Sequence, residues 1–73
     1  MKVYNAENFG RAIKKRRKSL GYTQETVSDF TGVSKSFLSD LERGKPTVEL
    51  EKVIRVALTL GMDIDLVNRG GNE

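Results

Sequence analysis

Through residues 6–60 the apolar positions recur at the spacing of helices that each bury one face. Phe9, Ala12, Ile13 and Leu20 make one such face, Val33, Leu38 and Leu41 a second, and Leu50, Val53, Ile54, Ala57 and Leu58 a third. Gly21, Gly32, Gly44 and Gly61 punctuate this pattern at intervals of helical length, and glycine is the favoured residue just past a helix end. The start signals match the stops. Asn5, Thr23, Ser34 and Thr47 carry side-chain oxygens able to accept from the unpaired N–H groups of a following helix. An apolar residue before such a cap should pack on one four positions after it. Tyr4 with Phe9, Tyr22 with Val27 and Val33 with Leu38 meet this test, whereas Thr47, between Pro46 and Val48, has only Glu51 at the second position. Four helices are expected.

After Gly61 the period becomes two. Met62, Ile64 and Leu66 alternate with Asp63 and Asp65, and Val67 follows, which predicts a strand over 62–67. Its backbone groups need a mate. The lead-in Lys2-Val3-Tyr4 is a weak candidate, and the same strand of a second copy is the simplest one, with Met62, Ile64 and Leu66 as the dimerisation residues. Residues 68–73 are read as a frayed tail, so that 1–67 form one domain.

The second and third helices are separated only by Thr31-Gly32-Val33-Ser34, a turn that forces a steep crossing of their axes. Ser28 and Gly32 are the small residues that permit close approach, while Val27, Val33, Leu38 and Leu41 fill the angle between the helices. This is helix-turn-helix spacing.

These residues resemble a known family. Gly21-Tyr22-Thr23-Gln24-Glu25, Gly32-Val33-Ser34, Leu38-Ser39 and Leu41-Glu42-Arg43-Gly44-Lys45 are similar to the phage-repressor-like (XRE/Cro-type) helix-turn-helix domains over residues 6–60. A narrower resemblance, from Val3-Tyr4-Asn5 through the final strand, is to the HipB-type antitoxins, dimeric repressors that neutralise HipA-type kinase toxins. The resemblance implies a mostly α fold: four to five short helices in a lambda-repressor-like bundle, with the C-terminal strand pairing across a homodimer. It also implies a phosphate contact at Gln24 and a structural pair between Arg17 and Glu42. Three positions depart from the pattern: Ser28 stands where Ala is usual, Thr31 where an aliphatic is commoner, and Arg16 where Leu or Val is frequent. Arg16 falls on the Phe9, Ile13, Leu20 face, so either its stem packs while its head reaches out or the helix is rotated.

If Ser34 caps the third helix, Leu38 and Leu41 point inward and the opposite side carries Ser36, Ser39, Asp40 and Arg43, with Lys35 on the first turn. Short polar side chains let such a helix approach base edges. Lys35 can donate to guanine, and the Ser36 and Ser39 hydroxyls can pair with several bases. Asp40 must accept from a cytosine amino group or else repel phosphates. Arg43 and Lys45 flank Gly44, where they can hold the backbone and set register without reading sequence. The DNA-binding set is thus Gln24, Ser34, Lys35, Ser36, Ser39, Arg43 and Lys45. The run Lys14-Lys15-Arg16-Arg17-Lys18 cannot form one basic face, because five consecutive helical residues fan around the whole circumference.

Composition narrows the function further. In 73 residues there are 13 Lys and Arg against 10 Asp and Glu, a net charge of +3, and no Cys or His. Zinc fingers, disulfide scaffolds, Cys nucleophiles and His bases therefore lack their parts, and with no phosphate loop an enzyme is not expected. No metal or cofactor is expected either. A chain this short buries only roughly 60% of its unfolded surface, which again favours a dimer. There is no apolar leader, and the stretch 53–60 is interrupted by Arg55 and Thr59, so no export signal or membrane span is read and a cytoplasmic protein is expected. The expected function is a sequence-specific transcriptional repressor acting on a palindromic double-stranded operator. It would be the autoregulating antitoxin of a HipA-type kinase, or alternatively a phage or restriction-control repressor with no toxin partner.

Overall fold

The computed structural model describes residues 2–70 and holds four helices among them: α1 (Ala6–Ser19), α2 (Gln24–Thr31), α3 (Lys35–Glu42) and α4 (Leu50–Thr59). Three starts are capped as expected. The side-chain oxygens of Asn5, Thr23 and Ser34 accept from the backbone N–H of Asn8, Thr26 and Phe37 at 2.7, 3.0 and 3.0 Å. The fourth start is not at Thr47. Glu49 is the N-cap of α4 and makes no side-chain capping bond. The hydrophobic pair missing around Thr47 is found two residues later, because Val48 precedes this cap, Val53 lies four beyond it, and both pack into the core. Tertiary anchoring of Val48 thus places the start that a side-chain cap would otherwise place.

α3 lies against both α1 and α2, and α2 also packs on α4. Ile13, Val27, Val33, Leu38, Leu41, Val53, Val56, Ala57 and Leu60 form the core between them. The buried face of α4 is therefore Val53, Val56, Ala57 and Leu60, while Leu50, Ile54 and Leu58, expected inside, are exposed at 70%, 37% and 58%. α4 carries two apolar stripes, and contacts with α2 select one. Leu20, also expected in the core, is exposed at the end of α1, and Gly10 is buried instead. A Cβ at Gly10 would collide with the Leu41 carbonyl oxygen and lie 3.0 Å from that of Glu42. Only glycine lets α1 come this close to the end of α3.

Arg16 keeps to the inward side. It is half-buried and its Nε donates to the Leu60 carbonyl at 2.8 Å, placing a cation at the C-terminal end of α4 where free carbonyls favour one. Thr31 is buried without loss. Its hydroxyl donates to the Val27 carbonyl at 2.7 Å and accepts from the Val33 N–H at 3.1 Å, so the polar atom that weakens an aliphatic core here ties the turn to α2.

Past α4, Gly61 adopts φ +72° and the Met62 N–H returns to the Ala57 carbonyl at 2.9 Å, a Schellman-type closure. Residues 62–67 then form no strand among the described residues. They share a groove with Val3, Tyr4, Phe9, Ile13 and Ala57, yet no backbone ladder joins them to residues 2–4. A strand exists only through its pairing, and the lead-in does not supply it. Met62 packs on its own core, while Ile64 and Leu66 are 44% and 94% exposed. Of the tail, 68–70 lies within the description and 71–73 outside it.

Candidate nucleic-acid interface

The candidate surface is the outward side of α3 with the turn that follows. Ser34 stands at its N-terminal end, and its hydroxyl is engaged in capping. Lys35 and Ser36 are fully on the surface. Phe37 turns inward, half-buried against the core, with the Lys52 ammonium 5.6 Å from its ring centre, a cation–π distance. Ser39 and Asp40 are half-buried, and Arg43 and Lys45 are exposed. Lys35, Ser36, Arg43 and Lys45 are thus exposed and Ser39 partly so, along a strip formed by α3 and the turn after it.

That strip has internal bonds which spacing alone did not bring out. Asp40 pairs with Arg43 at 2.7 Å and with Lys45 at 3.4 Å, and Arg43 Nη1 donates to Ser39 Oγ at 2.6 Å. One carboxylate therefore holds both cations. The i,i+3 separation of Asp40 and Arg43 was the available signal. Lys45 is brought back by the Gly44 turn, where its own N–H reaches the Asp40 carbonyl at 3.0 Å. Gly44 has φ +86°, and a Cβ there would sit 2.6 Å from Glu7 Cα, so the start of α1 presses against this turn.

Beneath the strip lies a second, buried network. Arg17 and Glu42 meet in two parallel bonds, Nε to Oε2 at 2.6 Å and Nη2 to Oε1 at 2.9 Å, and Arg17 Nη1 also donates to the Tyr22 carbonyl at 2.8 Å. Such a fork ties three segments together: α1, the entry to α2, and α3. Gln24, for which the resemblance implies a phosphate contact, donates its side-chain N–H to Glu42 Oε1 at 3.1 Å. Its amide is part of the buried network. Desolvation alone would raise the Glu42 carboxyl, but hydrogen bonds from Arg17 and Gln24 and the charges of Arg17 and Lys14 outweigh it and hold the group below the usual glutamate range. Arg17 is raised, chiefly by its bond to Glu42 working against burial. No buried side-chain polar atom among the described residues lacks a partner.

The basic run of α1 divides as a helix must. Lys14, Lys15 and Lys18 are exposed, Arg17 is buried, and Arg16 is half-buried on α4. No cluster of carboxylate, His or Cys ligands able to hold a metal occurs among the described residues.

The helix-turn-helix family model matches residues 13–67. An HTH-type transcriptional regulator of Sinorhizobium fredii, y4mF, is 33% identical over 69 residues, covering 94% of this chain and 91% of its own. The chain belongs to the helix-turn-helix family of transcriptional regulators. Other helix-turn-helix relatives include the SPbeta prophage-derived regulator YonR of Bacillus subtilis, 32% identical over 85% of this chain, and the transcriptional regulator ClgR of Mycobacterium tuberculosis, 38% identical over 88%. The chain spans 57% and 59% of those two proteins. Among solved structures, chains described as the HipB-O4 20mer complex and the HipA-HipB-O2-O3 complex superpose with TM-score 0.86 at 20% identity, covering 94% of this chain and 97% of theirs. The fold is therefore that of HipB. The helix-turn-helix chain is a DNA-binding transcriptional regulator, not an enzyme. No helix among its described residues is long and apolar enough to cross a membrane.

Proposed function

We propose that this regulator is a cytoplasmic homodimeric repressor that reads a palindromic operator through α3, and that it acts as the antitoxin of a HipA-type kinase. The reading of DNA rests on one observation: an exposed strip on α3 carries Lys35, Ser36 and Ser39 with two cations, Arg43 and Lys45, just past its end. Lys35, Ser36 and Ser39 contact base edges, Ser34 orients the helix end, and Arg43 and Lys45 exchange Asp40 for phosphates. Gln24 contributes by holding Glu42, and its remaining N–H and the α2 amides are directed to backbone.

Dimerisation falls to Ile64 and Leu66, with Met62 as the anchored root of the segment. An apolar side chain 94% exposed, beside a groove shared with Val3, Tyr4 and Phe9, suits pairing of 62–67 with a second copy, which also satisfies its backbone. A two-fold dimer presents two copies of α3 to half-sites about one turn, or roughly 34 Å, apart. The antitoxin role is supported by likeness to HipB along nearly the whole chain. A toxin-free phage-type repressor is the second reading, favoured by the prophage-derived relative.

The test is Ile64→Lys with Leu66→Lys, which leaves the Met62 closure intact. Sedimentation should show a dimer become a folded monomer, and affinity for a selected operator should fall by about 10² to 10⁴, the avidity of a linked pair. A wild-type monomer, or a variant that stays dimeric, refutes the assembly. Copurification of a kinase encoded beside the gene separates the antitoxin from the toxin-free reading.

A further inference from the structure

Asp40 is an anion on the strip that, on the proposed reading of α3, meets an anionic polymer. Its carboxylate is 27% exposed and meets Arg43 and Lys45, whose side chains are 69% and 52% exposed. Exposed ion pairs of this kind are weak and readily exchanged. Asp40 also lies four residues from Ser36 and three from Arg43, so it shares their side of α3. We infer that Asp40 is a specificity-determining residue: it keeps Arg43 and Lys45 internally paired until α3 seats on a sequence that offers the carboxylate a base amino group. This rests on the reading of α3 as the DNA-contacting helix.

The chemistry follows from the two modes of binding. On arbitrary DNA, affinity comes from phosphates. There the two cations remain partly neutralised, and the carboxylate repels the backbone. On the selected site, cytosine N4 or adenine N6 presents a donor in the major groove. Asp40 turns to that donor, and both cations pass to phosphates. The residue therefore costs affinity everywhere and recovers it only where the base is right, which is discrimination by an unfavourable element. The Arg43 bond to Ser39 Oγ extends the device, since releasing Arg43 also frees a hydroxyl for a base edge.

The experiment compares the full-length protein with Asp40→Asn, which keeps size and an acceptor oxygen but removes the charge, and with Asp40→Glu, which keeps the charge. Each is titrated by fluorescence anisotropy against a random-sequence duplex and a duplex enriched by wild-type selection, over a series of salt concentrations. Asp40→Asn should bind the random duplex about three- to tenfold more tightly, with a log–log salt slope steeper by about one. It should gain less, or lose, on the selected duplex. Asp40→Glu should keep the wild-type ratio. In an Arg43→Ala, Lys45→Ala background only the direct repulsion between carboxylate and backbone remains, so Asp40→Asn should tighten random binding by less than it does in the wild-type background. A ratio unchanged by Asp40→Asn, or an equal gain in the double-alanine background, overturns the inference. A wild-type protein that selects no sequence overturns the underlying reading of α3, which is a distinct result.

Discussion

Glu42 and Asp40 stand two residues apart near the end of α3, and each carboxylate holds an arginine. The Arg17–Glu42 pair is almost sealed, with side chains 9% and 3% exposed, whereas the Arg43–Asp40 pair has 69% and 27% exposure. Glu42 receives its bonds from residues 25 and 18 positions away. Asp40 receives its bonds from three and five positions away. Burial makes the first pair costly to break, because a lone charge would be left out of water. Exposure makes the second cheap to break, because water and salt replace either partner. One helix thus carries a buried pair that ties distant segments together and an exposed pair that water or another partner can readily replace.

The strongest way to break this contrast is Glu42→Gln, which leaves Arg17 buried beside a neutral group. A loss of about 3 to 5 kcal/mol is expected, against a total of roughly 4 to 11 kcal/mol for a chain of this length, read by urea denaturation. DNA affinity per folded molecule should change little. The pH dependence gives a second reading of the same pair. Because the folded Glu42 carboxyl is held low, its contribution is fully present above the ordinary glutamate value of about 4.3 and is lost as pH falls through its lower folded value. The stability gap between wild type and Glu42→Gln should therefore narrow below about pH 4.

Gly10→Ala comes next. The added Cβ meets the Leu41 and Glu42 carbonyls, so α1 must retreat and the Arg17 fork must lengthen; overpacking of this kind costs about 1 to 3 kcal/mol. A thermal melt that does not move would show that the α1–α3 contact is not what positions the pair.

Gln24→Ala sharpens the comparison, since it asks to which network Gln24 belongs. Losing a hydrogen bond to a buried carboxylate should lower stability by about 1.5 kcal/mol. Unchanged stability with weakened binding to every DNA sequence would assign the side chain to phosphate instead.

Arg43→Ala has the smallest effect on folding, under about 1 kcal/mol, while it should weaken binding to the selected duplex more than to a random one, because the cation passes from Asp40 to phosphate only there. An altered base preference in a selection experiment would move Arg43 from register to readout.

The architecture of the helix-turn-helix was legible because its signals are local. The caps at Asn5, Thr23 and Ser34 act within four positions and appear where expected, whereas Gly32 serves the left-handed turn at φ +76° and not close approach, since a Cβ there would meet open space. The pairing of Arg17 with Glu42 came from resemblance to a family, not from spacing. The attachment of Gln24 to that pair has no local signal, because a polar residue in the first turn of a helix says nothing about a carboxylate on another helix.

The chain by itself determined where three helices begin, how tightly α2 turns into α3, and which polar residues gather on the α3 strip, since these depend on dihedral preferences and hydrogen bonds inside single turns. Only the tertiary structure decided which of two apolar stripes on α4 faces inward, that α4 starts at Leu50 and not beside Thr47, that Arg16 closes α4 through Leu60, and that Gly10 sets the separation of α1 from α3. Each of these turns on a partner far along the chain. Periodicity ranks faces by apolarity, but α4 offers two, and the choice falls to the shape and packing of the helices against it.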